Sequence, residues 1–399
     1  MVTTSNERID DLDFAPFAPE VLDDPYTAYA QLRERTPCYY VKKHDFWIVS
    51  RFDDLVAASK NHAVFSSTGG VGLEWKQRPM MPMYDPPEHS RLRRLVGRHF
   101  APKAIANLTP RVERMVGHLL GRMFETSRAD IVADLAEPLS LGVIADLMGV
   151  PESDRANFRK WADNVMGELS GGLNAEAAAR AEASRHEFVS YLKELVGHRR
   201  RHPDPQAVDI ISMLVAANES EALTHFEVTA FCVLLLVAGF EPTVNGVANT
   251  VLALLEHPDQ ARKLLADPRL LPAGIEEALR YDTPVQAFFR NTLTATEISG
   301  VALPARAKVM LHFGAANRDP RHYEEPDRFM VTRPMDENVV FGAGVHYCLG
   351  APLARLQLNT LGRVALQRVR SVRRAGEIER ASTLLFRGIR RFPVEVLAK

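Results

Sequence analysis

The stretch from Thr224 to Glu256 reads as one long helix whose first half is apolar nearly all the way round. A helix apolar on every side offers no face to water and belongs in the middle of a large protein. The chain can supply those surroundings: 399 residues, 46% of them hydrophobic, are ample for a sizeable core. The longest uninterrupted apolar run, Ala230 to Phe240, is shorter than the roughly 20 residues a bilayer span needs. A core position is therefore expected. The pattern is interrupted at Ala238-Gly239-Phe240-Glu241-Pro242-Thr243. A glycine, a carboxylate and a proline in mid-core helix are each costly. Three such violations side by side mark a functional site.

A second stretch carries chemistry: Phe341-Gly342-Ala343-Gly344-Val345-His346-Tyr347-Cys348-Leu349-Gly350. Its three glycines indicate backbone that bends tightly or approaches something closely. An amphipathic pattern from Pro352 to Val369 follows, so the loop ends at a helix N-terminus. There the helix dipole and free N–H groups favour the thiolate of Cys348. No second cysteine or histidine stands at metal-binding spacing, which suggests one axial bond to a metal already held by another group. Haem iron is the main candidate; a buried structural cysteine in a glycine-rich turn is the bland alternative.

Between these stretches the reading is mainly helical. Helices are expected at Pro25–Arg35, Asp53–Lys60, Glu88–Phe100, Thr109–Phe124, Ala136–Met148, Glu152–Leu169, Asn174–Arg200 and Leu271–Tyr281. Cys38-Tyr39-Tyr40-Val41 and Phe46-Trp47-Ile48-Val49 flank a polar Lys-Lys-His-Asp turn and read as a hairpin. Short β-prone segments occupy Thr283–Met310, and the chain ends in strands around Leu384–Phe386 and Val394–Leu397. Ser66–Pro87, rich in proline and glycine, reads as a long functional loop. His89 and Arg93 stand four apart on one helix face. With Arg91, Arg94 and Arg98 beside them, composition alone makes that face solvated and basic. Glu277 and Arg280, i and i+3 on a helix with little exposed face, read as a buried structural pair.

No linker, repeat or low-complexity run divides residues 1–399, so one large domain is expected. A net charge of −1 gives no global pull toward nucleic acid or an anionic membrane. Arg199-Arg200-Arg201 reads as a solvated helix cap. Three widely spaced cysteines, Cys38, Cys232 and Cys348, argue against a disulfide scaffold and fit a reducing compartment. The polar, acidic N-terminus has no apolar signal core, so a soluble cytoplasmic protein is expected.

Phe-x-x-Gly-x-His-x-Cys-x-Gly resembles the haem-binding loop of the cytochrome P-450 family. Four further motifs occur in that family's order, and the resemblance to its soluble bacterial members covers nearly the whole chain. It implies a mainly α fold with small β-sheets, the haem lying between the long central helix and the cysteine loop. It implies haem b with Cys348 as proximal thiolate ligand, and Phe341 shielding that sulfur. Gly344 and Gly350 would let the backbone approach sulfur and porphyrin. His89, Arg93, Arg290 and His346 occupy the positions that supply cations to the haem propionates, which overturns the solvated reading of His89 and Arg93; Arg91 and Arg94 remain solvated. Glu277 and Arg280 match the family's Glu-x-x-Arg brace. Arg328 is the first choice for its third member and Arg333 the rival.

The central helix departs from the family pattern Ala-Gly-x-Asp/Glu-Thr. Ala238 and Gly239, which the resemblance puts against the cofactor, and Glu241 match, but Pro242 stands where the threonine that helps deliver protons should be. Thr243 comes one residue late, about 100° around the helix. Proline also frees the Ala238 carbonyl and kinks the helix. Proton delivery is then left to water, the substrate or Glu241.

The resemblance implies a monooxygenase inserting one oxygen atom from O2 into a small-to-medium, largely apolar substrate. Electrons would come from NAD(P)H through ferredoxin reductase and a ferredoxin docking on the proximal face. A peroxide-driven peroxygenase and a non-catalytic haem sensor are the alternatives. The substrate pocket is expected from Val71, Leu73, Trp75, Met80, Met83, Val285, Phe288, Phe289 and Leu385, with the region around Met166–Leu173. No nucleic-acid or membrane partner is expected.

Overall fold

The structure, a computed structural model, describes residues 14–74, 80–170, 175–204, 206–216, 223–334 and 337–399. The apolar stretch forms a continuous helix, His225–Glu256, with Pro242 inside it. A capping box fixes its start: Glu227 N donates to Thr224 Oγ1 at 3.1 Å, and Thr224 N donates to Glu227 Oε2 at 2.7 Å. By length and composition alone the helix could cross a membrane. In the fold it is a core helix. It packs against helices Glu137–Met148, Ala175–Arg201 and Leu271–Tyr281 and the strand Arg387–Arg391. Val228, Cys232, Leu236, Val247 and Ala248 on it are buried in the largest apolar cluster. Each large aliphatic side chain so buried contributes about 1.5–3 kcal/mol, which explains why this helix organises the molecule.

The hairpin forms as its two β-prone runs predict, Cys38–Val41 against Phe46–Val49, with Asp45 at φ 52° closing the turn. It is one edge of a five-stranded sheet. The strands run in the order Cys38–Val41, Phe46–Val49, Lys308–His312, Ala287–Thr292, Phe65–Ser66. The C-terminal expectation is half right. Pro393–Ala398 is the middle strand between Arg128–Asp130 and Val369–Arg374. Leu384–Phe386, however, is not a strand: Phe386 makes only an isolated bridge to Val285, and the strand begins at Arg387. Its residues are mostly arginine, so the apolar alternation that announces a strand is missing.

A buried charge cluster sits beneath the cysteine loop. Glu277 and Arg280 are both fully buried; Arg280 Nε donates to Glu277 Oε2 at 2.7 Å and Nη2 to Oε1 at 3.0 Å. Arg333 is the third member, its Nε 3.1 Å from Glu277 Oε2. Arg328, the first choice from sequence, is exposed and pairs with Glu325. Turn geometry decides between them. Arg328 closes a local Glu-x-x-Arg turn, whereas Arg333 folds back to donate to the carbonyls of Glu324, Glu325 and Arg328. Arg333→Ala should lower stability to unfolding in urea by about 3–5 kcal/mol, because it strips a partner from a buried carboxylate. Arg328→Ala should stay within about 0.5 kcal/mol of the parent.

Candidate functional site

The cysteine loop is bent by glycines at φ +73° (Gly342) and +69° (Gly344). At Gly344 the bend has a second reason, different from the expected approach to a ligand. A Cβ there would lie 2.4 Å from the Ser59 carbonyl, at the end of the helix Phe52–Lys60. At Gly350 a Cβ would come no nearer than 3.9 Å, to Cys348 Sγ. The loop closes on itself where Cys348 N donates to Phe341 O at 2.8 Å. The helix Ala351–Arg368 follows, and the N–H groups of Gly350 and Ala351 are directed at the Cys348 sulfur. Those amides, with Arg93 and Arg355, favour the thiolate as expected. Burial opposes them and is the larger effect, so the thiol is held above its ordinary value. Cys348 is exposed on a cavity of about 570 Å³. His89, Arg93, Phe100, Val345, Cys348 and Leu349 are among its lining residues.

Of the four residues named for carboxylate binding, His89 and Arg93 line the cavity, and His346 and Arg290 lie beside His89. His89 is 2% exposed and lies 4.3 Å, ring to ring, from His346. His346 Nε2 is 3.1 Å from Ser67 Oγ. Arg93 donates to Tyr347 O at 2.5 Å, and buried Arg290 to Phe289 O at 2.8 Å. The expectation of four cations needs correcting. Burial, then repulsion from neighbouring guanidiniums, pushes His89 down to about 4 and His346 to about 2. Near neutral pH both imidazoles are uncharged and can offer only N–H donors, while Arg93 and Arg290 carry the charge. Burial, partly offset by Asp85, drags Arg290 down to about 10. His89 Nδ1 is buried without a hydrogen-bond partner. An orphaned donor or acceptor beside crowded positive charge is the environment an anion relieves.

The central helix carries the remaining candidates. Ala238 is exposed, and Glu241 and Pro242 are half-buried, whereas Thr243 is 7% exposed and packed away. Gly239 does not face the cavity as expected: a Cβ on it would lie 3.2 Å from Ile144 Cδ1, so it serves helix packing. Burial raises the Glu241 carboxyl from 4.5 to about 7.

Several functional neighbours escaped the sequence reading. The Arg355 guanidinium lies 4.5 Å from the Phe341 ring centroid, pairs with Glu276 at 2.6 Å and donates to Tyr347 Oη at 3.1 Å. Its position i+7 from Cys348, on the following helix, was the available signal. Arg91 is not simply solvated, since it pairs with Glu88 and Glu227. Arg94 is exposed as expected, at the cavity rim.

Among the described residues, none of the expected pocket residues lines this cavity. Phe289 is fully buried, 5.3 Å from Phe46, with Leu73 and Leu385 packed on the same cluster. It belongs to the core. Phe288 packs edge-on against Phe313 and Phe386, and Val285 bridges Phe386. Met80 and Met83 are half-buried. Trp75 and residues 171–173 lie outside the described residues.

Comparison with known proteins agrees with this geometry. The family described as "Cytochrome P450" matches residues 160–372. "Cytochrome P450 107B1" of Saccharopolyspora erythraea is 36% identical, covering 96% of this chain and 97% of its own. The "Biotin biosynthesis cytochrome P450" of Bacillus subtilis is also 36% identical, covering 94% and 97%. Among solved structures, cytochrome P450 CYP109Q5 from Chondromyces apiculatus superposes with a TM-score of 0.88 at 33% identity, covering 96% of this chain and 98% of that one.

Two predictions follow from the loop and the helix. Gly344→Ala should abolish the folded loop, read as loss of bound haem by absorbance, while Gly350→Ala should retain it. Glu241 binds a proton more tightly folded than unfolded. Its contribution to stability is full below about 4.5 and lost as pH rises through about 7. Glu241→Gln should therefore match the parent's stability at pH 4 and exceed it by about 1–3 kcal/mol at pH 8.

Proposed function

This chain belongs to the cytochrome P-450 family, and from that premise we propose that it is a monooxygenase using Cys348 as its thiolate ligand. The family's cofactor is haem b. The residues fit it: a sulfur open to a cavity, N–H groups aimed at that sulfur, and two guanidiniums with two imidazoles at the edge. When bound, haem supplies the iron at which O2 is reduced and one oxygen atom passes to a C–H bond.

The rest falls to side chains. Arg93 and Arg290 neutralise the propionates, and His89 and His346 donate N–H bonds to them. Phe341, roofed by Arg355, keeps water from the sulfur. The overall reaction consumes two electrons and two protons, and one oxygen atom leaves as water. Glu241 holds a proton near neutral pH and passes it from its carboxyl toward the cavity through water or a polar group of the substrate. The observation that carries this reading is a half-buried carboxyl poised near 7 beside Ala238 and Pro242. A general acid works best when its pKa is close to the working pH.

The substrate is a small-to-medium, largely apolar molecule. Electrons come from NAD(P)H through a ferredoxin reductase and a ferredoxin on the proximal face, and the enzyme works in the cytoplasm. Pro242 favours a second reading, turnover driven by peroxide alone, since the usual hydroxyl is missing.

The two readings separate by comparing product formation with hydrogen peroxide alone against NAD(P)H with reductase and ferredoxin, on a substrate that gives the high-spin absorbance shift. Monooxygenase turnover should exceed peroxide turnover, and Glu241→Gln should cut the former by roughly 10²-fold while raising hydrogen peroxide release. Unchanged product yield per NAD(P)H in Glu241→Gln would remove Glu241 from the proton path. Unchanged coupling in Pro242→Thr would mean that the missing threonine is immaterial.

A further inference from the structure

Pro242 leaves a defect in the backbone that the molecule has to manage. With no N–H at residue 242, the Ala238 carbonyl loses its partner four residues on, and the ring crowds the turn before it. Polar backbone groups in a core are rarely left without partners. The helix Glu137–Met148 packs against this turn, and two of its residues, one turn apart, meet the same point. Ile144 closes on Gly239. Ser140, fully buried, points its hydroxyl at the next two carbonyls in the row. Its Oγ lies 3.2 Å from Gly239 O and 3.4 Å from Phe240 O. A buried hydroxyl in a helix commonly bonds back to its own chain four residues earlier. Ser140 reaches across to a neighbouring helix, at the one turn that proline has loosened.

We propose that Ser140 is a positioning residue that clamps the proline-loosened turn of the central helix and so fixes the place of Glu241. The clamp acts on Gly239 and Phe240, the two residues before Glu241. Held there, the turn keeps Phe240 packed inward, 6% exposed, and leaves the Glu241 carboxyl half-buried. Without it the loosened turn can rotate, and Glu241 leaves its fixed place. Serine at 140 and proline at 242 thus form one unit, although 102 positions separate them. Glu241's part in this rests on the proton-carrier reading above; the clamp itself does not.

The test is a double-mutant cycle of Ser140→Ala and Pro242→Ala in the haem-loaded protein. Pro242→Ala restores the missing N–H without adding a hydroxyl. Urea unfolding should show Ser140→Ala lowering the folding constant roughly three- to tenfold when residue 242 is proline. With alanine at 242 the loss should be less than about twofold. Equal losses in both backgrounds would overturn the clamp, since Ser140 would then be an ordinary buried hydroxyl. The second readout is the infrared C=O stretch of the protonated Glu241 carboxyl, assigned by its disappearance in Glu241→Gln. Ser140→Ala should shift and broaden that band. An unmoved band alongside a coupled cycle would overturn the positioning of Glu241. Neither readout depends on turnover, so failure of the proton-carrier reading, seen as unchanged coupling in Glu241→Gln, is distinguishable from failure here.

Discussion

The Glu277 carboxylate is the constraint on which the proximal half of the molecule depends. A fully buried charge persists only when opposite charge and hydrogen bonds meet it from several sides. Here Arg280 and Arg333 both reach it, and Met330 N donates to it at 2.8 Å. The two arginines spend their remaining donors on backbone carbonyls of Asn317, Glu324, Glu325, Pro326 and Arg328. An irregular segment with few apolar side chains is thereby held as firmly as a helix. Asn317 continues the chain of contacts, its Oδ1 accepting from Val339 N at 3.1 Å, two residues before Phe341. The cysteine loop thus begins from a fixed point. The cluster works because it is complete, and its worth lies in geometry more than in net attraction.

The two sides of the cavity are built on different logic. On the proximal side, charge and N–H donors are frozen in place before any cofactor arrives, and the strain of crowding them shows in the depressed imidazoles of His89 and His346. On the distal side the central helix tolerates irregularity, because a neighbouring helix covers the turn that Pro242 loosens. Preorganised dipoles cost nothing to reorient during a reaction. A helix turn with an interrupted ladder can by contrast adjust to what lies beneath it.

Much of this was legible in the sequence because it is local. Helix periods, the hairpin and the glycine-rich loop are read over ten or twenty residues, and their expected limits fall close to those observed. The residues of the carboxylate cluster could be named, but only through resemblance to a known family. Composition made His89 and Arg93 a solvated face, since nothing local shows that Arg290 and His346 fold onto them. What was missed depends on direction rather than on residue type. Arg328 and Arg333 are equally arginine, and only the path of the turn sends one to water and the other to Glu277. Gly239 and Ala238 are adjacent, yet about 100° of helix rotation sets one against Ile144 and leaves the other exposed. The strand Arg387–Arg391 was shifted because its three arginines, of which only Arg387 is buried, do not read as an apolar alternation.

Gly344 has a consequence for how the molecule is made. Its neighbour is the end of the helix Phe52–Lys60. The contacts beside it, His346 with Ser67 and Arg93 with Tyr347, join residues 279 and 254 positions apart. Contacts of such separation form late, after the loop-closure entropy of the intervening chain has been overcome. During synthesis the N-terminal partners emerge first and wait for the cysteine loop. The pocket needs both ends of these contacts, so a chain that stops short of the loop offers the cofactor no place to bind.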